Sequence, residues 1–99
     1  MFSSAKRSGD EYFSVLGQNN EQPFARLGLA IARKHTKTAV ARNRVKRLIR
    51  ESFRLHQAEL SGLDIVVILR RNIAKMTNQD MFQRLETLWQ KIRKQCGVY

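Results

Sequence analysis

The chain has 99 residues, of which 19 are Lys or Arg and 8 are Asp or Glu, so its formal net charge is +11. This length predicts one domain with a small core, and no apolar run reaches the roughly 20 residues of a membrane-spanning helix. A single cysteine, Cys96, excludes an internal disulfide, and no apolar segment follows Met1, so we expect a cytoplasmic protein. The positive excess favours a polyanionic partner.

The first third of the chain predicts two strands. Residues 1–10 are polar and predict no regular structure, whereas residues 11–16 are aromatic and β-branched and predict a strand. Residues 17–23 have the composition of a loop. Residues 24–32 then alternate, with one side predicted to face the core (Leu27, Leu29 and Ile31) and the other carrying mainly small side chains (Arg26, Gly28, Ala30 and Ala32). The small side chains allow close approach of either another element or a ligand.

Residues 39–57 change to the period of a helix with two different faces. The apolar face carries Ala41, Val45, Leu48, Ile49, Ser52 and Leu55, with Phe53 at its boundary. The opposite face carries Arg42, Asn43, Arg44, Lys46, Arg47, Arg50 and Arg54. We therefore predict a helix that packs on a sheet through one face and presents cations on the other.

The positive charge is concentrated in and just before this helix. Between Arg33 and Arg54 lie nine basic residues and one acid, Glu51, whereas the rest of the chain has a net charge of only +3. A solvated helix face is one interpretation, but such faces usually interleave acids with bases. The near absence of acids favours a phosphate-binding surface.

The second half predicts one strand and one helix. Gly62 interrupts the chain, and residues 63–69 form a continuous apolar run that predicts a strand buried on both faces. Thr77 and Asp80 resemble a capping box that opens a last helix, and Gly97 ends it. Its apolar positions are Phe82, Leu85, Leu88, Trp89 and Ile92, which favours Trp89 as a core residue over a base-stacking one. The order strand, strand, helix, strand, helix predicts an α+β fold.

No local motif indicates catalysis by protein side chains. His35 and His56 lack a second ligand at metal-binding spacing, and the chain has no Walker loop, GxGxxG or GxSxG motif. We therefore assign no catalytic and no metal-binding residue, and we expect no small-molecule substrate and no membrane partner.

Residues 39–54 resemble the signature of the bacterial ribonuclease P protein component. That family has an Arg-Asn-Arg triplet opening a helix, then an apolar residue, Lys-Arg, and a further Arg; Arg42-Asn43-Arg44, Val45, Lys46-Arg47 and Arg50 match it. The resemblance extends to Tyr12-Phe13, Arg26-Leu27-Gly28, Ala32-Arg33-Lys34 and Asp64-Ile65-Val66-Val67. It covers nearly the whole chain, from Phe2 to Lys94.

The resemblance implies a fold and an activity. The fold would be a single domain over residues 1–99: a small mixed sheet, the basic helix in a left-handed βαβ crossover, and a C-terminal helix packed on the sheet (ribosomal protein S5 domain 2-like). The activity would be that of an endoribonuclease subunit, in which a catalytic RNA with Mg²⁺ removes 5′ leaders from precursor tRNA. Family members normally begin with a further amphipathic helix, and we expect most of that helix to be missing from this sequence.

The resemblance also implies two sets of contact residues. The predicted contacts to ribonuclease P RNA are Arg42, Asn43, Arg44, Lys46, Arg47 and Arg50, extended by Arg33, Lys34 and Lys37. The predicted contacts to the single-stranded precursor tRNA leader are Phe2, Phe13, Leu16, Ala30 and Ala32. For Phe13, a core position competes with the leader role.

Three other functions remain as alternatives. A ribosomal-protein-like module would bind structured RNA without a role in cleavage. A helix-turn-helix DNA reader needs two helices joined by a short turn, which the strand after Gly62 argues against. An autonomous nuclease lacks a candidate site.

Overall fold

Four strands and two helices make up the part of the chain that this computed structural model describes, residues 5–97. In chain order they are β1 (Lys6–Gly9), β2 (Phe13–Asn19), β3 (Arg26–Ala30), α1 (Ala39–Leu55), β4 (Leu63–Leu69) and α2 (Asn78–Gln95). A single 3₁₀ turn, Arg33–His35, precedes α1. The predicted α+β class is confirmed. Within residues 5–97, neither helix is long and apolar enough to cross a membrane.

The four strands form one mixed sheet in the order β1-β2-β4-β3. The β1–β2 and β2–β4 pairs are antiparallel, and the β3–β4 pair is parallel. Because the parallel strands are connected through α1, they form a βαβ unit around the basic helix. The left-handed sense of that crossover stays a prediction.

Within residues 5–97, both helices cover one face of the sheet and neither covers the other face, which we call the open face. Along β4 the residues alternate between buried (Leu63, Ile65, Val67 and Leu69) and half-buried (Asp64, Val66 and Ile68). The buried row joins the core formed with α1 and α2. The prediction that this strand is buried on both faces is therefore wrong, because both helices pack on the same side.

The centre of the core is the contact between α1 and α2 at Trp89. Its side chain is fully buried, its Nε1 donates a hydrogen bond to Ser52 Oγ at 2.9 Å, and the Phe53 ring meets it edge-on. The core assignment of Trp89 is confirmed. The apolar face of α1 is rotated from the predicted one, because Phe53 packs on Trp89 and is 8% exposed, whereas Leu55 is 65% exposed.

The sequence prediction misses strand β1 and the end of strand β2, both for tertiary reasons. Residues predicted to be irregular form β1, which pairs with β2 and is tied to α2 by a hydrogen bond from Ser8 Oγ to the Leu88 carbonyl. Strand β2 continues through Gly17 to Asn19, where a loop was predicted. Gly17 lies so close to α2 that a Cβ there would meet Ile92 Cγ1 at 2.7 Å, so packing selects glycine in this strand.

The helix boundaries follow the capping residues. Thr38 Oγ1 accepts a hydrogen bond from the Ala41 amide, and Thr77 Oγ1 accepts one from the Asp80 amide, which confirms the predicted N-terminus of α2. Gly97 follows α2 with a φ of 75°, as expected for a residue that ends a helix. Helix α1 ends at Leu55, two residues before the predicted end.

Candidate nucleic-acid interface

Helix α1 presents its basic face to solvent because its other face is fixed in the core. Val45, Leu48 and Ile49 are buried, so the side chains on the opposite side of the helix point away from the sheet. The first turn carries no acidic residue, which leaves the positive end of the helix dipole unneutralised. This end of α1 therefore favours an anion.

We call the nine predicted RNA contacts the basic surface. Of these, Arg33, Lys34, Lys37, Asn43, Arg47 and Arg50 are exposed, and Arg42, Arg44 and Lys46 are half-buried. The structure brings them together, because the 3₁₀ turn and the loop after it lead directly into α1. Val40, which is 81% exposed on the same helix face and offers an apolar contact, was not predicted from the sequence. Its position three residues before Asn43, which places both on one helix face, could have indicated it.

The basic surface has no acidic partners within the part of the chain that the structure describes. The five ion pairs found there involve Arg26, His56, Arg71, Arg84 and Arg93, all outside residues 33–54. Cations without acidic partners repel one another, and a polyanion relieves that repulsion. The structure therefore supports phosphate binding over a merely solvated helix face.

The open face of the sheet is a second candidate surface. Strand register places Arg7, Leu16, Val66 and Gly28 in one row across the four strands, and Ile68 beside Ala30 in the next. The middle of this face is apolar, and its surface lies close to the backbone at β3 because the side chains there, of Gly28 and Ala30, are small. Leu16 and Ala30, both predicted leader contacts, lie on this face.

The prediction that Phe13 contacts the leader is wrong. Phe13 pairs with Leu69 on the helix-covered side of the sheet, and its side chain is fully buried. The sequence of this strand allows Phe13 to face either the helices or the open side of the sheet, and only the strand register decides between them. Phe2, another predicted leader contact, lies outside the described residues.

A shallow depression joins the open face to the basic surface. It measures about 520 Å³ and lies where β3 and β4 end, lined by Ala30, Ala32, Lys34, His35, Ile68 and Arg70 among others. Ala32 and Lys34, predicted for different partners, thus share one concavity. Sequence reasoning missed Arg70; the signal was its position directly after β4, since parallel strands end at the same edge of a sheet.

The opposite end of the open face is electrically neutralised. The Arg26 guanidinium donates from Nε and Nη2 to the two Asp64 carboxylate oxygens at 2.6 and 2.7 Å, and Asn20 Nδ2 donates to Oδ1 at 3.0 Å. The hydrogen bond from Arg26, followed by that from Asn20, lowers the pKa of Asp64. The same carboxylate raises the pKa of Arg26.

This network predicts an acid-sensitive contribution to stability. Because folding lowers the pKa of Asp64, its carboxylate stabilises the folded protein above the unfolded-state pKa, about 3.9. That contribution is lost as the pH falls through the folded-state pKa. Urea unfolding from pH 7 to pH 2.5 should show Asp64→Asn less stable than wild type at pH 7, with the difference disappearing in acid. The control Glu86→Gln, an exposed acid without an ion pair within residues 5–97, should show no such pattern.

In the part of the chain that the structure describes, no metal site is present and the two histidines lie apart. Within residues 5–97, no three His, Cys, Asp or Glu side chains cluster as metal ligands would. His35 lines the depression, whereas His56 Nδ1 lies 3.4 Å from Glu59 Oε2 beyond the other end of α1.

The fold and these two surfaces define a small α+β nucleic-acid-binding protein. The protein-family model named Ribonuclease P matches residues 1–93. The ribonuclease P protein component of Yersinia pestis is 42% identical over 96 residues, covering 97% of this chain and 81% of the relative. That of Vibrio parahaemolyticus is 42% identical over 94 residues, covering 95% and 80%.

Solved structures agree with the sequence comparisons. The ribonuclease P protein of Thermotoga maritima, in complex with 1-(4-fluorophenyl)-2-thiourea, superposes with a TM-score of 0.84 at 33% identity, covering 92% of this chain and 89% of that one. The Staphylococcus aureus ribonuclease P protein gives 0.82 at 32% identity, covering 91% and 83%. The chain belongs to the ribonuclease P protein family, and its role is that of the protein subunit of ribonuclease P. The similarities favour this role over the ribosomal-protein-like alternative.

Proposed function

We propose that the protein docks on ribonuclease P RNA through the basic surface. The observation that carries this proposal is the set of eight cations of that surface, on one loop and one helix face, none of which lies within ion-pair distance of an acid in residues 5–97. Exposed guanidinium groups such as those of Arg47 and Arg50 form charge-assisted hydrogen bonds with phosphates. Asn43 both donates and accepts, which suits a base edge or a 2′-hydroxyl.

The open face of the sheet, in this proposal, receives the single-stranded 5′ leader of precursor tRNA. Leu16, Val66 and Ile68 form an apolar surface on which bases can stack. The small glycine and alanine side chains on β3 let the leader RNA lie close to this surface. Lys34 and Arg70 at the depression attract leader phosphates, whereas the Arg26–Asp64 pair neutralises the other end. The leader would therefore be held most strongly at the end that adjoins the basic surface.

The chemical step in this proposal belongs to the RNA. In this proposal Mg²⁺ is bound by the catalytic RNA and would supply the chemistry of phosphodiester hydrolysis. The protein's own residues bind and orient the two RNAs, which raises the fraction of substrate held in a productive position. The single cysteine continues to favour a cytoplasmic location.

Ala30→Asp tests the leader surface. Ala30 is exposed on β3, so we expect the substitution to preserve the fold while placing a negative charge beside the leader phosphates. The reconstituted holoenzyme should bind precursor tRNA at least about fivefold more weakly, since like charges at close range cost about 1 kcal/mol or more. Affinity for mature tRNA, which has no leader, should be unchanged.

The matched control is Ala58→Asp, in the exposed turn after α1 and away from the open face. It should leave both affinities at the wild-type value. Equal weakening for precursor and mature tRNA in Ala30→Asp, or no weakening at all, would contradict the leader assignment while leaving the docking proposal standing.

A further inference from the structure

Arg44 differs from the other cations of the basic surface because its guanidinium is already engaged. Its Nη2 donates to the Met76 carbonyl at 2.7 Å and to Asn78 Oδ1 at 2.8 Å, and its Nε donates to Asn78 Oδ1 at 3.1 Å. No other basic side chain between Arg33 and Arg54 donates a hydrogen bond to a protein group in residues 5–97. Arg44 is thus committed to a protein contact before any RNA arrives.

These hydrogen bonds occupy the N–H groups with which arginine makes a bidentate contact to a phosphate. A guanidinium has five N–H groups, and a bidentate contact uses adjacent N–H groups on two different nitrogens. The N–H of Nε and both N–H groups of Nη2 are used within the protein, so only Nη1 remains. Arg44 cannot make a bidentate phosphate contact while these hydrogen bonds persist.

The groups that Arg44 contacts mark the start of α2. Met76 and Asn78 flank Thr77, the residue that caps this helix. We call residues 70–76, between β4 and the cap, the basic turn, because it carries Arg70, Arg71 and Lys75. Arg44 therefore joins the second turn of α1 to the end of the basic turn.

The basic turn lies against the beginning of α1. A cavity of about 160 Å³ separates them, lined on one side by the loop from His35 to Thr38 with Ala41 and Val45, and on the other by residues 72–74. Arg44 lines the same cavity. The start of the turn is held by the Arg70 amide, which donates to the Tyr12 carbonyl at 2.8 Å, and its middle by the buried Ile73. Arg44 holds its end, at Met76.

We propose that Arg44 is a positioning residue, which fixes α1 relative to the basic turn and so sets the shape of the RNA-binding surface, rather than a phosphate contact. This inference rests on the proposed docking of the basic surface on ribonuclease P RNA. Asn78 has the same role in it, as the acceptor that holds the guanidinium.

The test measures affinity for cognate ribonuclease P RNA as a function of salt. Asn78→Ala removes no charge, yet we expect it to weaken binding about three- to tenfold. Arg44→Lys keeps the charge but cannot make the three hydrogen bonds, and it should bind as weakly as Asn78→Ala. The double variant Arg44→Ala with Asn78→Ala should bind no more weakly than Arg44→Ala alone, because both remove the same connection. The control Gln79→Ala, an exposed neighbour on α2, should bind as wild type.

A direct phosphate contact predicts a different pattern. Asn78→Ala would then bind as wild type, Arg44→Lys would retain most of the affinity, and Arg44→Ala would lower the salt slope by about 0.7 to 0.9. That pattern overturns the inference. If wild-type protein itself binds the RNA without strong salt dependence, the docking proposal fails instead, so the two failures are distinguishable.

Limited trypsin digestion of the free protein gives a readout without RNA. Cleavage at Arg70, Arg71 and Lys75 should be several times faster in Asn78→Ala than in Gln79→Ala, because Arg44 has lost two of the three hydrogen bonds that hold it at the end of the basic turn. Equal cleavage rates in the two variants would also overturn the inference.

Discussion

Replacing Arg47 and Arg50 with alanine should weaken binding to ribonuclease P RNA about 100- to 200-fold, because each charge-assisted contact contributes about 1.5 kcal/mol. Both side chains are exposed, and neither has a hydrogen-bond or ion-pair partner within residues 5–97. The dependence of log affinity on log salt should become shallower by about 1.5, for two lost phosphate contacts. A filter-binding titration across salt concentrations measures both quantities.

The matched control is Lys91→Ala with Lys94→Ala, which removes the same charge from the exposed side of α2. It should change the affinity by less than about threefold, since exposed charges away from the contact act only through a screened field. Both double variants should unfold within about 1 kcal/mol of wild type. If the two double variants lose affinity equally, the net charge of +11 acts as a bulk property and the basic surface is not the docking site.

The largest expected effect on stability comes from Trp89→Ala, which should lower the free energy of unfolding by about 3–5 kcal/mol. Trp89 is fully buried between the sheet and α1, and its removal leaves a cavity and an unpaired Ser52 hydroxyl. Domains of this size have about 5–15 kcal/mol in total, so a large part of the stability would be lost. Chemical denaturation at 25 °C measures the difference, with the midpoint of thermal unfolding expected to fall by about 15–30 °C.

Trp89→Phe separates packing from hydrogen bonding at the same position. It keeps an aromatic ring against Phe53 but loses the Nε1 donor, so we expect a loss of about 1–2 kcal/mol. Since α1 packs on Trp89, partial unfolding of Trp89→Ala near its midpoint should also weaken RNA binding. A loss below about 1 kcal/mol in Trp89→Ala would contradict the placement of this residue at the centre of the core.

Periodicity predicted the parts of the fold in which one face of an element is apolar. The bounds of β4, the start of α1 and the Thr77 cap of α2 follow from a continuous apolar run, a 3.6-residue period and a capping residue. Strand β1 carried no such signal, because its residues are polar and it is stabilised by pairing with β2 and by the Ser8 contact to α2. Gly17 was misassigned to a loop because its requirement for close packing against Ile92 is a tertiary one.

The sequence predicts the part of the candidate site that lies on one helix. It does not predict the parts that depend on contacts between several elements. All the predicted cations of α1 share a face that the helical period defines. The burial of Phe13, the contribution of Arg70 to the depression and the engagement of Arg44 with Asn78 depend on register and packing between distant segments. The strand that contains Phe13 has apolar side chains on both sides, so only the assembled sheet decides which side is buried.

The positive charge of the chain is concentrated on the basic surface, and the structure explains why that surface is exposed. Helix α1 is held to the sheet by its apolar face, its cations lack acidic partners in residues 5–97, and the depression beside Lys34 connects them to the open face. Two RNA segments, one structured and one single-stranded, would thus meet on one small protein. The family to which the chain belongs is consistent with that arrangement.

Cleavage of precursor tRNA by the reconstituted particle tests this account most directly. Cognate ribonuclease P RNA, wild-type protein and a precursor tRNA with a labelled 5′ leader are combined at low Mg²⁺, with RNA alone and protein alone as references. The account predicts no cleavage by protein alone, a clear rise in cleavage when protein is added to the RNA, and little of that rise with the Arg47→Ala, Arg50→Ala protein. An unchanged cleavage rate on addition of folded wild-type protein would contradict it.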